Sequence, residues 1–324
     1  MLTVYVAERN MLKAADLATP GLPPSPLWID LLHPTAEEVK RVEAALALEL
    51  PSLEEMQEIE VSSRLYKENE ALFMTATLLA RTTTDLPEAL PVSFILAGTT
   101  LMTIRYGEPR SFPAFVNRAQ RHQSDCSSGE SVLVSLLDSV TDRSADILER
   151  IAGDIDSVSA LVFENHAVEP SRARDFKAIL REIGRKGDLN SKARESLVSL
   201  GRLLTFLVQN LEAAKASRDN RNRLKTLLRD VHALTDHASF LSNKINFLLD
   251  ATLGMVNIEQ NAIIKIFTVA SVAFMPPTLI ASIYGMNFEN MPELSWPIGY
   301  PIAIGLMVLS ALLPFLYFKR RGWL

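Results

Sequence analysis

Two long uncharged stretches near the C-terminus constrain this chain more than any other feature. Residues 266–288 and 296–318 each run for 23 residues without Asp, Glu, Lys or Arg. A helix rises about 1.5 Å per residue, so each stretch is long enough to cross a hydrocarbon core of about 30 Å. Seven residues, 289–295, separate them. The pattern therefore predicts two membrane-spanning helices joined as a hairpin, with membrane lipid around them.

The charged residues that flank these stretches predict their orientation. Lys265 precedes the first stretch and three basic residues, 319–321, follow the second. The connecting loop has Glu289 and Glu293 but neither Lys nor Arg. Basic residues are enriched on the cytoplasmic side of membrane proteins, so we expect both termini in the cytoplasm and the loop outside. We expect a multi-pass protein of the cell inner (plasma) membrane.

The composition and motifs argue against several function classes. The 33 basic and 38 acidic residues give a net charge of −5, so we expect no nucleic-acid partner. The single cysteine, Cys126, allows no internal disulfide. His232 and His237 lack the spacing of a zinc site. The sequence has no phosphate-binding glycine-rich loop, nucleophile elbow or paired-carboxylate motif, so we expect no enzymatic activity.

The first 125 residues alternate between strand-like and helix-like patterns. The candidate strands, rich in β-branched and aromatic residues, are residues 2–7, 27–31, 71–79, 91–96 and 100–106. Helices are expected after Thr35, a candidate N-cap followed by acidic residues, and from Pro51-Ser52. Gly98-Thr99 between two apolar runs indicates a hairpin turn. These features predict an α/β domain with a mixed sheet.

From residue 128 onward the pattern is helical. Apolar residues recur every three or four positions, with predicted helix breaks at Gly187 and Asn190. Between Ser217 and Pro276 there is no proline, and Gly254 is the one glycine. The sequence therefore predicts one helix from about residue 219 to 284, a stalk that runs directly into the membrane.

A line of small and polar residues follows this predicted helix. Alternating steps of four and three residues backward from the loop select Ser282, Thr278, Met275, Ser271, Thr268, Ile264, Asn261, Asn257, Gly254 and Asp250. An average period of 3.5 residues keeps this line, which we name the polar stripe, on one side of the helix. Small residues allow close helix packing in membranes, and they can equally line a water-filled axis. Asn257, Asn261 and Asp250 favour the axis, because they extend the stripe beyond the bilayer.

Two further features of this helix bear on a pathway. Ile264 and Met275 interrupt the polar stripe, as an apolar constriction that gates by dewetting requires. Pro276 and Pro277 remove amide donors and free two backbone carbonyls, which a water-filled axis or a neighbouring helix could satisfy. A single chain with two spans cannot enclose a pore, so a conducting assembly needs several copies related by rotation.

Several segments resemble the CorA family of magnesium transporters. They are YGMNFENMPELSW at 284–296, the preceding FMPPTLIASIYGMN and the ending YFKRRGWL. Gly285-Met286-Asn287 matches the signature tripeptide of that family. NIEQNAIIKIF at 257–267 and WIDLLHP at 28–34 are similar to its bacterial branch. The resemblance covers the whole chain and is strongest from about residue 240.

The resemblance implies a homopentamer with a CorA-like cytoplasmic α/β funnel, a stalk helix that becomes the pore-lining first span, and an outer second span. It implies an entrance that binds hydrated Mg²⁺ at Gly285, Met286 and Asn287. Glu289 and Glu293 are then expected to form an external rim that attracts cations. The resemblance implies that Thr278, Met275, Ile264 and Asn261 line the pore. The polar stripe adds Ser282, Ser271, Thr268 and Asn257 as further pore-lining candidates. The candidate ligands of a regulatory intracellular Mg²⁺ are Asp250, at the inner mouth, Asp230 and Asp236.

These observations predict the following organisation: a cytoplasmic α/β domain at 1–125, a helical stalk region at 126–261, a first span at 262–284, an external loop at 285–295, a second span at 296–318 and a basic cytoplasmic tail at 319–324. The expected function is passive, gated Mg²⁺ influx, with Co²⁺ and Ni²⁺ as further candidate ions. One alternative is a transporter of Zn²⁺ or another transition metal in the same superfamily, against which the intact tripeptide argues. Another is a membrane-anchored signalling coiled coil.

Overall fold

The computed structural model describes residues 1–8, 11–15, 22–84, 86–121, 125–163, 175–213, 217–287 and 291–323. Contacts between Cα atoms divide the chain into a first unit, Met1–Leu249, and a second unit, Asp250–Leu324. The first unit contains a β-sheet with helices on both faces. The second contains two apolar helical segments and a short 3₁₀ helix.

Seven strands of the described residues form one mixed sheet. Their bounds are β1 Leu2–Glu8, β2 Met11–Ala14, β3 Trp28–Leu32, β4 Leu65–Glu68, β5 Ala71–Ala80, β6 Glu88–Ala97 and β7 Thr100–Arg105. The strand order is β2-β1-β3-β7-β6-β5-β4. The β3–β7 pair is parallel and the other neighbouring pairs are antiparallel. The structure confirms the five predicted strands and adds β2 and β4, two edge strands of four residues each.

One face of the sheet packs against short N-terminal helices. Ile29, Ile95 and Ile104 from three strands lie in one buried cluster with Val42 and Met56. Val42 belongs to α1 (Ala36–Leu46) and Met56 to α2 (Leu53–Gln57). Strand residues alternate between the two faces, so the same strands also supply apolar side chains to the opposite side.

The other face packs against longer helices. Trp28 contacts two phenylalanines of α4 (Ser111–Ala119), with ring centroids 6.1 Å from Phe112 and 5.7 Å from Phe115. The helix α5 (Gly129–Phe163) contacts β7, and α6 (Phe176–Ala213) contacts β5. All ten residues of β5 are buried, since helices cover this strand and neighbouring strands flank it. The predicted α/β fold with a mixed sheet is confirmed.

A buried ion pair joins the two parallel strands. In their register Asp30 lies opposite Thr103 and Leu32 opposite Arg105. The Arg105 Nη2 atom lies 2.7 Å from Asp30 Oδ2, and Thr103 Oγ1 donates to Asp30 Oδ1 at 2.7 Å. The Arg105 guanidinium also lies 4.6 Å from the centroid of the Phe112 ring. Because a buried charge needs hydrogen-bonded partners, this network fixes the register of β3 against β7.

Local sequence signals set the short helices and one turn. Thr35 with Glu38, and Ser52 with Glu55, form capping boxes at the starts of α1 and α2. Gly98 has φ +55° in the turn between β6 and β7, a conformation that glycine adopts without steric cost. The predicted hairpin turn at Gly98-Thr99 is therefore confirmed.

The predicted helix breaks at Gly187 and Asn190 are wrong, because α6 is continuous from Phe176 to Ala213. The Asn190 side chain is buried and donates from Nδ2 to Ala238 O at 2.9 Å and to Ser242 Oγ at 2.8 Å. Both acceptors belong to the next helix, α7 (Arg218–Tyr284). Asn190 is thus a contact between two helices rather than the end of one.

The two longest apolar patterns correspond to α7 and α8. The helix α7 runs from Arg218 to Tyr284, 67 residues, and contains Pro276 and Pro277. It matches the predicted helix from about residue 219 to 284. The helix α8 runs from Gly299 to Arg320, 22 residues. Both are long and apolar enough to cross a membrane.

Candidate ion pathway

The polar stripe lies on the part of α7 that belongs to the second unit. Its members Asn257, Asn261, Ser271, Thr278 and Ser282 are exposed. The two apolar members are exposed too, Ile264 at 52% and Met275 at 70%. The described part of a single chain therefore leaves most of this surface uncovered.

The hydroxyl groups of two stripe residues are oriented by their own helix. Thr268 Oγ1 donates to Ile264 O and Thr278 Oγ1 donates to Phe274 O, both at 2.8 Å. A hydroxyl has one proton and two acceptor lone pairs, so these bonds use the proton and leave the lone pairs as acceptors. The waters around a hydrated cation present protons outward. The two threonines are therefore suited to accept hydrogen bonds from a hydrated cation.

The helix α7 continues through Pro276 and Pro277 to its end at Tyr284. The uncharged stretch extends four residues further, to 288. Proline has no amide hydrogen, so neither residue donates to the carbonyl one turn before it. Both prolines are only partly buried.

The tripeptide Gly285-Met286-Asn287 follows the end of α7. The Gly285 amide donates to Ala281 O at 2.9 Å and the Met286 amide to Ile283 O at 3.3 Å. A Cβ atom at Gly285 would lie 3.1 Å from Ala281 O, closer than nine in ten such contacts. Glycine here allows the chain to leave the helix tightly. Asn287, two residues after Gly285, has an exposed polar side chain.

The remainder of the loop is described in part. Glu289 lies outside the described residues. The backbone of residues 292–295 forms the 3₁₀ helix Pro292–Ser295, but the side chain of Glu293 lies outside the described part. The Ser295 hydroxyl donates to Pro292 O at 2.7 Å. The predicted acidic rim stays a prediction.

Aromatic contacts bring the basic residues of the second unit to one end of the hairpin. The Lys265 Nζ atom lies 5.9 Å from the centroid of the Trp323 ring. The Trp323 ring stacks on Phe318 with centroids 5.0 Å apart, and the Arg321 guanidinium lies 5.4 Å from the Tyr317 ring. These contacts place the lysine before the first apolar segment beside the basic C-terminal tail. Sequence patterns did not indicate this contact, because it joins residues far apart in the chain.

The three predicted regulatory aspartates are exposed on α7. Asp230 and Asp236 belong to the first unit, and Asp250 begins the second. Across the described ranges no group of three or more His, Cys, Asp and Glu side chains is placed to hold a metal ion. Within the described residues, none of the three aspartates therefore belongs to a metal-binding group of that size.

The structure adds an acidic neighbour of Asp230 that no local sequence signal indicates. Burial raises the pKa of Asp138 on α5, and the charges of Asp142 and Asp230 raise it further. Arg223 and Arg118 act in the opposite direction. Asp138 therefore lies among charges from three helices, and Asp230 is one of them. No local sequence signal could have shown this, because these residues meet through tertiary packing.

Comparison with known proteins identifies the family. Residues 25–320 match the family model described as CorA-like Mg²⁺ transporter protein. The chain is 36% identical to the magnesium transport protein CorA of Wolinella succinogenes over 331 residues and 34% identical to that of Escherichia coli (strain K12) over 324 residues, with both partners covered in full in each case.

A solved structure has the same fold. The complete structure of the CorA magnesium transporter from Methanocaldococcus jannaschii superposes with a TM-score of 0.79 at 18% identity, covering 100% of this chain and 99% of that one. This likeness extends over the α/β unit and both apolar helices. The chain therefore belongs to the CorA-like Mg²⁺ transporter family and is a membrane protein with two candidate spanning helices.

Proposed function

We propose that five copies of the chain assemble around their α7 helices and conduct Mg²⁺ passively into the cell. The observation that carries this proposal is the polar stripe. Its side chains are mostly exposed in one chain, and two of its hydroxyls, on Thr268 and Thr278, present acceptor lone pairs. Copies related by rotation would turn five such surfaces toward one axis.

The direction of flow follows from the orientation. The basic end, marked by Lys265 and residues 319–321, lies in the cytoplasm, and the tripeptide faces outside. The membrane potential then favours cation entry by about 2.3 kcal/mol per charge per 100 mV. A divalent cation gains twice that amount, so influx needs no ATP.

The entrance is a ring of five Asn287 side chains, with Gly285 and Met286 beside it. Mg²⁺ loses its water shell reluctantly. Neutral amide oxygens can accept hydrogen bonds from those waters without replacing them. They also bind weakly enough for release, which conduction requires. Glu289 and Glu293 would raise the local cation concentration around the ring.

The gate is formed by the apolar members of the stripe. Rings of Ile264 and Met275 narrow the axis and exclude water when the helices approach. Intracellular Mg²⁺ ions, bound at separate levels of the stalk by Asp250 at the inner mouth and by Asp236 and Asp230 further along α7, hold the helices in that position. Co²⁺ and Ni²⁺, which also carry firmly held water shells, are expected to pass through the same entrance.

Ion flux into liposomes tests the entrance. Purified wild type should admit Mg²⁺, and Asn287→Ala should lower the initial rate about tenfold or more, because hydrogen bonds to a charged partner are worth about 1.5–3 kcal/mol. Asn246→Ala, an exposed asparagine of α7 outside the stripe, is the matched control and should leave the rate unchanged. Assays with Co²⁺, Ni²⁺ and Zn²⁺ define the range of ions.

The outcomes separate the candidate functions. Equal Mg²⁺ rates in wild type and Asn287→Ala would contradict the entrance ring. Zn²⁺ influx without Mg²⁺ influx would favour the transition-metal alternative. Absence of any flux from folded, oligomeric wild type would favour a membrane-anchored signalling role.

A further inference from the structure

Two adjoining cavities in the first unit have no part in the pathway described above. The first, about 390 Å³, contains three arginines among its lining residues. We name it the basic cavity, and the lining residues that define it are Arg64, Thr77, Ser191, Arg194, Ser199 and Arg202. It lies where α6 crosses β5 beside the short helix α3 (Val61–Arg64).

Helical and strand periodicities bring these side chains together. Ser191, Arg194, Val198 and Arg202 follow one another at intervals of three or four residues, so they share one face of α6. Thr75 and Thr77 are two residues apart on β5, so they point to the same face of the sheet. The Thr77 amide donates to Ser199 Oγ at 2.9 Å, which fixes the helix against the strand.

Hydrogen bonds hold two of the three guanidinium groups, and within the described residues no ion pair neutralises any of the three. Arg64 donates to Glu58 O and, at 3.3 Å, to Thr77 Oγ1. Arg194 donates from Nε to Ser239 Oγ at 3.2 Å. Among the described residues, Arg202 has no hydrogen-bond or ion-pair partner, and no ion pair joins Glu195 of the lining to any of the three arginines. Several N–H donors therefore stay available in one cavity.

This arrangement favours an anion of high charge. The lining has three positive side chains and one negative side chain, Glu195, so its net charge is positive and a bound anion would reduce the repulsion among the arginines. Planar guanidinium groups donate pairs of hydrogen bonds to phosphate oxygens, which is why arginine is common at phosphate sites. The hydroxyl groups of Ser191 and Ser199 are further hydrogen-bonding groups in the same lining.

The second cavity, about 470 Å³, continues from the first and shares Val61, Leu65, Val198 and Arg202 with it. Its other lining residues include Leu197, Phe206 and Val231, and we name it the apolar cavity. Both volumes lie in the range of small-molecule sites. A ligand that fills both needs a charged group at one end and an apolar or aromatic body at the other.

We infer that the two cavities bind an organic phosphate, with its phosphoryl groups among Arg64, Arg194 and Arg202 and its aromatic body against Phe206. A nucleoside triphosphate has this combination of groups. The site lies in the first unit and does not depend on the proposed ion pathway, so binding and flux can be tested separately.

Calorimetric titration of the purified full-length protein with ATP in EDTA buffer tests the inference. Tripolyphosphate and adenosine represent the two halves of the probe. ATP should bind, tripolyphosphate should bind about tenfold more weakly, and adenosine should give no measurable heat at about 1 mM. The double substitution Arg194→Gln with Arg202→Gln should weaken ATP binding about tenfold or more.

Two further variants test which cavity holds the aromatic part of the ligand and provide a control. Phe206→Ala should weaken ATP binding about threefold or more and leave tripolyphosphate binding unchanged. Arg181→Gln, an exposed arginine of α6 outside both linings, should bind ATP as wild type does. Thermal unfolding of each variant checks that it is folded. The proposed site would be contradicted if wild type did not bind ATP, or if the double variant bound ATP with the affinity of wild type. Equal affinities for ATP and tripolyphosphate would overturn the role of the apolar cavity.

Discussion

The two units of this chain differ in where their apolar side chains find partners. In the first unit large residues such as Trp28, Phe94 and Phe112 are almost completely buried. In the second unit Phe274 is 71% exposed and Tyr300 78% exposed. Exposed large apolar residues recur along both apolar helical segments of the second unit, whereas soluble proteins rarely expose contiguous apolar patches of more than a few hundred Å². The first unit therefore buries its largest aromatic side chains within one chain, whereas the second leaves an apolar surface that lipid and neighbouring copies would cover in the proposed assembly.

Polar groups show the same contrast. The buried carboxylate of Asp30 is satisfied by Arg105 and Thr103 within the first unit. The hydroxyls of Thr268 and Thr278 in the second unit bond to their own helix and keep their acceptor lone pairs. In the first unit polar groups specify how the strands pair. In the second they form the polar stripe, which we propose faces the transported ion.

The largest expected effect concerns the buried ion pair of the first unit. Arg105→Ala leaves Asp30 as an uncompensated buried charge and should lower the free energy of unfolding by about 3–5 kcal/mol. Urea unfolding can be followed by Trp28 fluorescence after Trp296 and Trp323, the other two tryptophans, are replaced by Phe. Lys67→Ala is the control, because its ion pair with Glu70 is exposed and should contribute less than about 1 kcal/mol. Similar losses of unfolding free energy in Arg105→Ala and Lys67→Ala would contradict the difference between the buried and the exposed ion pair.

A smaller effect is expected from two adjacent isoleucines of the second unit. Ile264→Ser places a hydroxyl in the proposed apolar ring and should increase Mg²⁺ flux under inhibiting internal Mg²⁺ about tenfold, because a polar ring resists dewetting. Ile263→Ser changes a neighbour with nearly the same exposure, 53%, that lies off the stripe. Liposome flux measures both. Equal Mg²⁺ flux through the two variants under inhibiting internal Mg²⁺ would show that Ile264 is not part of a gate.

The smallest effect concerns the start of the first unit and depends on pH. Burial acts to raise the pKa of Glu38, but hydrogen bonds from the Thr35 amide, the N-terminal ammonium group and the Leu2 amide outweigh it and lower the pKa below 4.5. A lowered pKa means that ionised Glu38 stabilises the fold above about pH 4.5, and that this contribution disappears as the pH falls through the folded-state value.

Glu38→Gln should therefore lower the free energy of unfolding by about 1 kcal/mol at pH 7. The difference from wild type should shrink as the pH is lowered below about 4.5. Urea unfolding at several pH values measures it. A difference that stays constant with pH would show that ionisation of Glu38 does not contribute.

Features encoded over a few residues could be predicted from the sequence. The cap at Thr35, the turn at Gly98 and the long helix that ends at Tyr284 follow from local propensity and periodicity. The polar stripe is also local, because a regular helix fixes which residues share one side. The exposure of the stripe side chains and the hydrogen bonds of Thr268 and Thr278 are known only from the structure.

Features that depend on distant contacts could not be predicted. Asn190 suggests a helix end by its polarity, but its amide binds Ala238 and Ser242 on another helix. The edge strands β2 and β4 are too short for alternation to be recognised. The basic cavity joins Arg64 to Arg194, 130 positions later, through the packing of α6 on the sheet. Sequence spacing holds no information about such a pair.

Cysteine accessibility along α7 tests the central proposal, that the polar stripe lines an aqueous pathway. The natural thiol, Cys126, is a suitable background, because it is buried, and burial together with the charge of Asp125 raises its pKa to about 11. Single cysteines at Ser271 and Thr278 should react with a charged thiol reagent in membranes about tenfold faster than cysteines at the neighbouring Val272 and Leu279. Equal rates at all four positions, or faster reaction at 272 and 279, would contradict the proposed pathway.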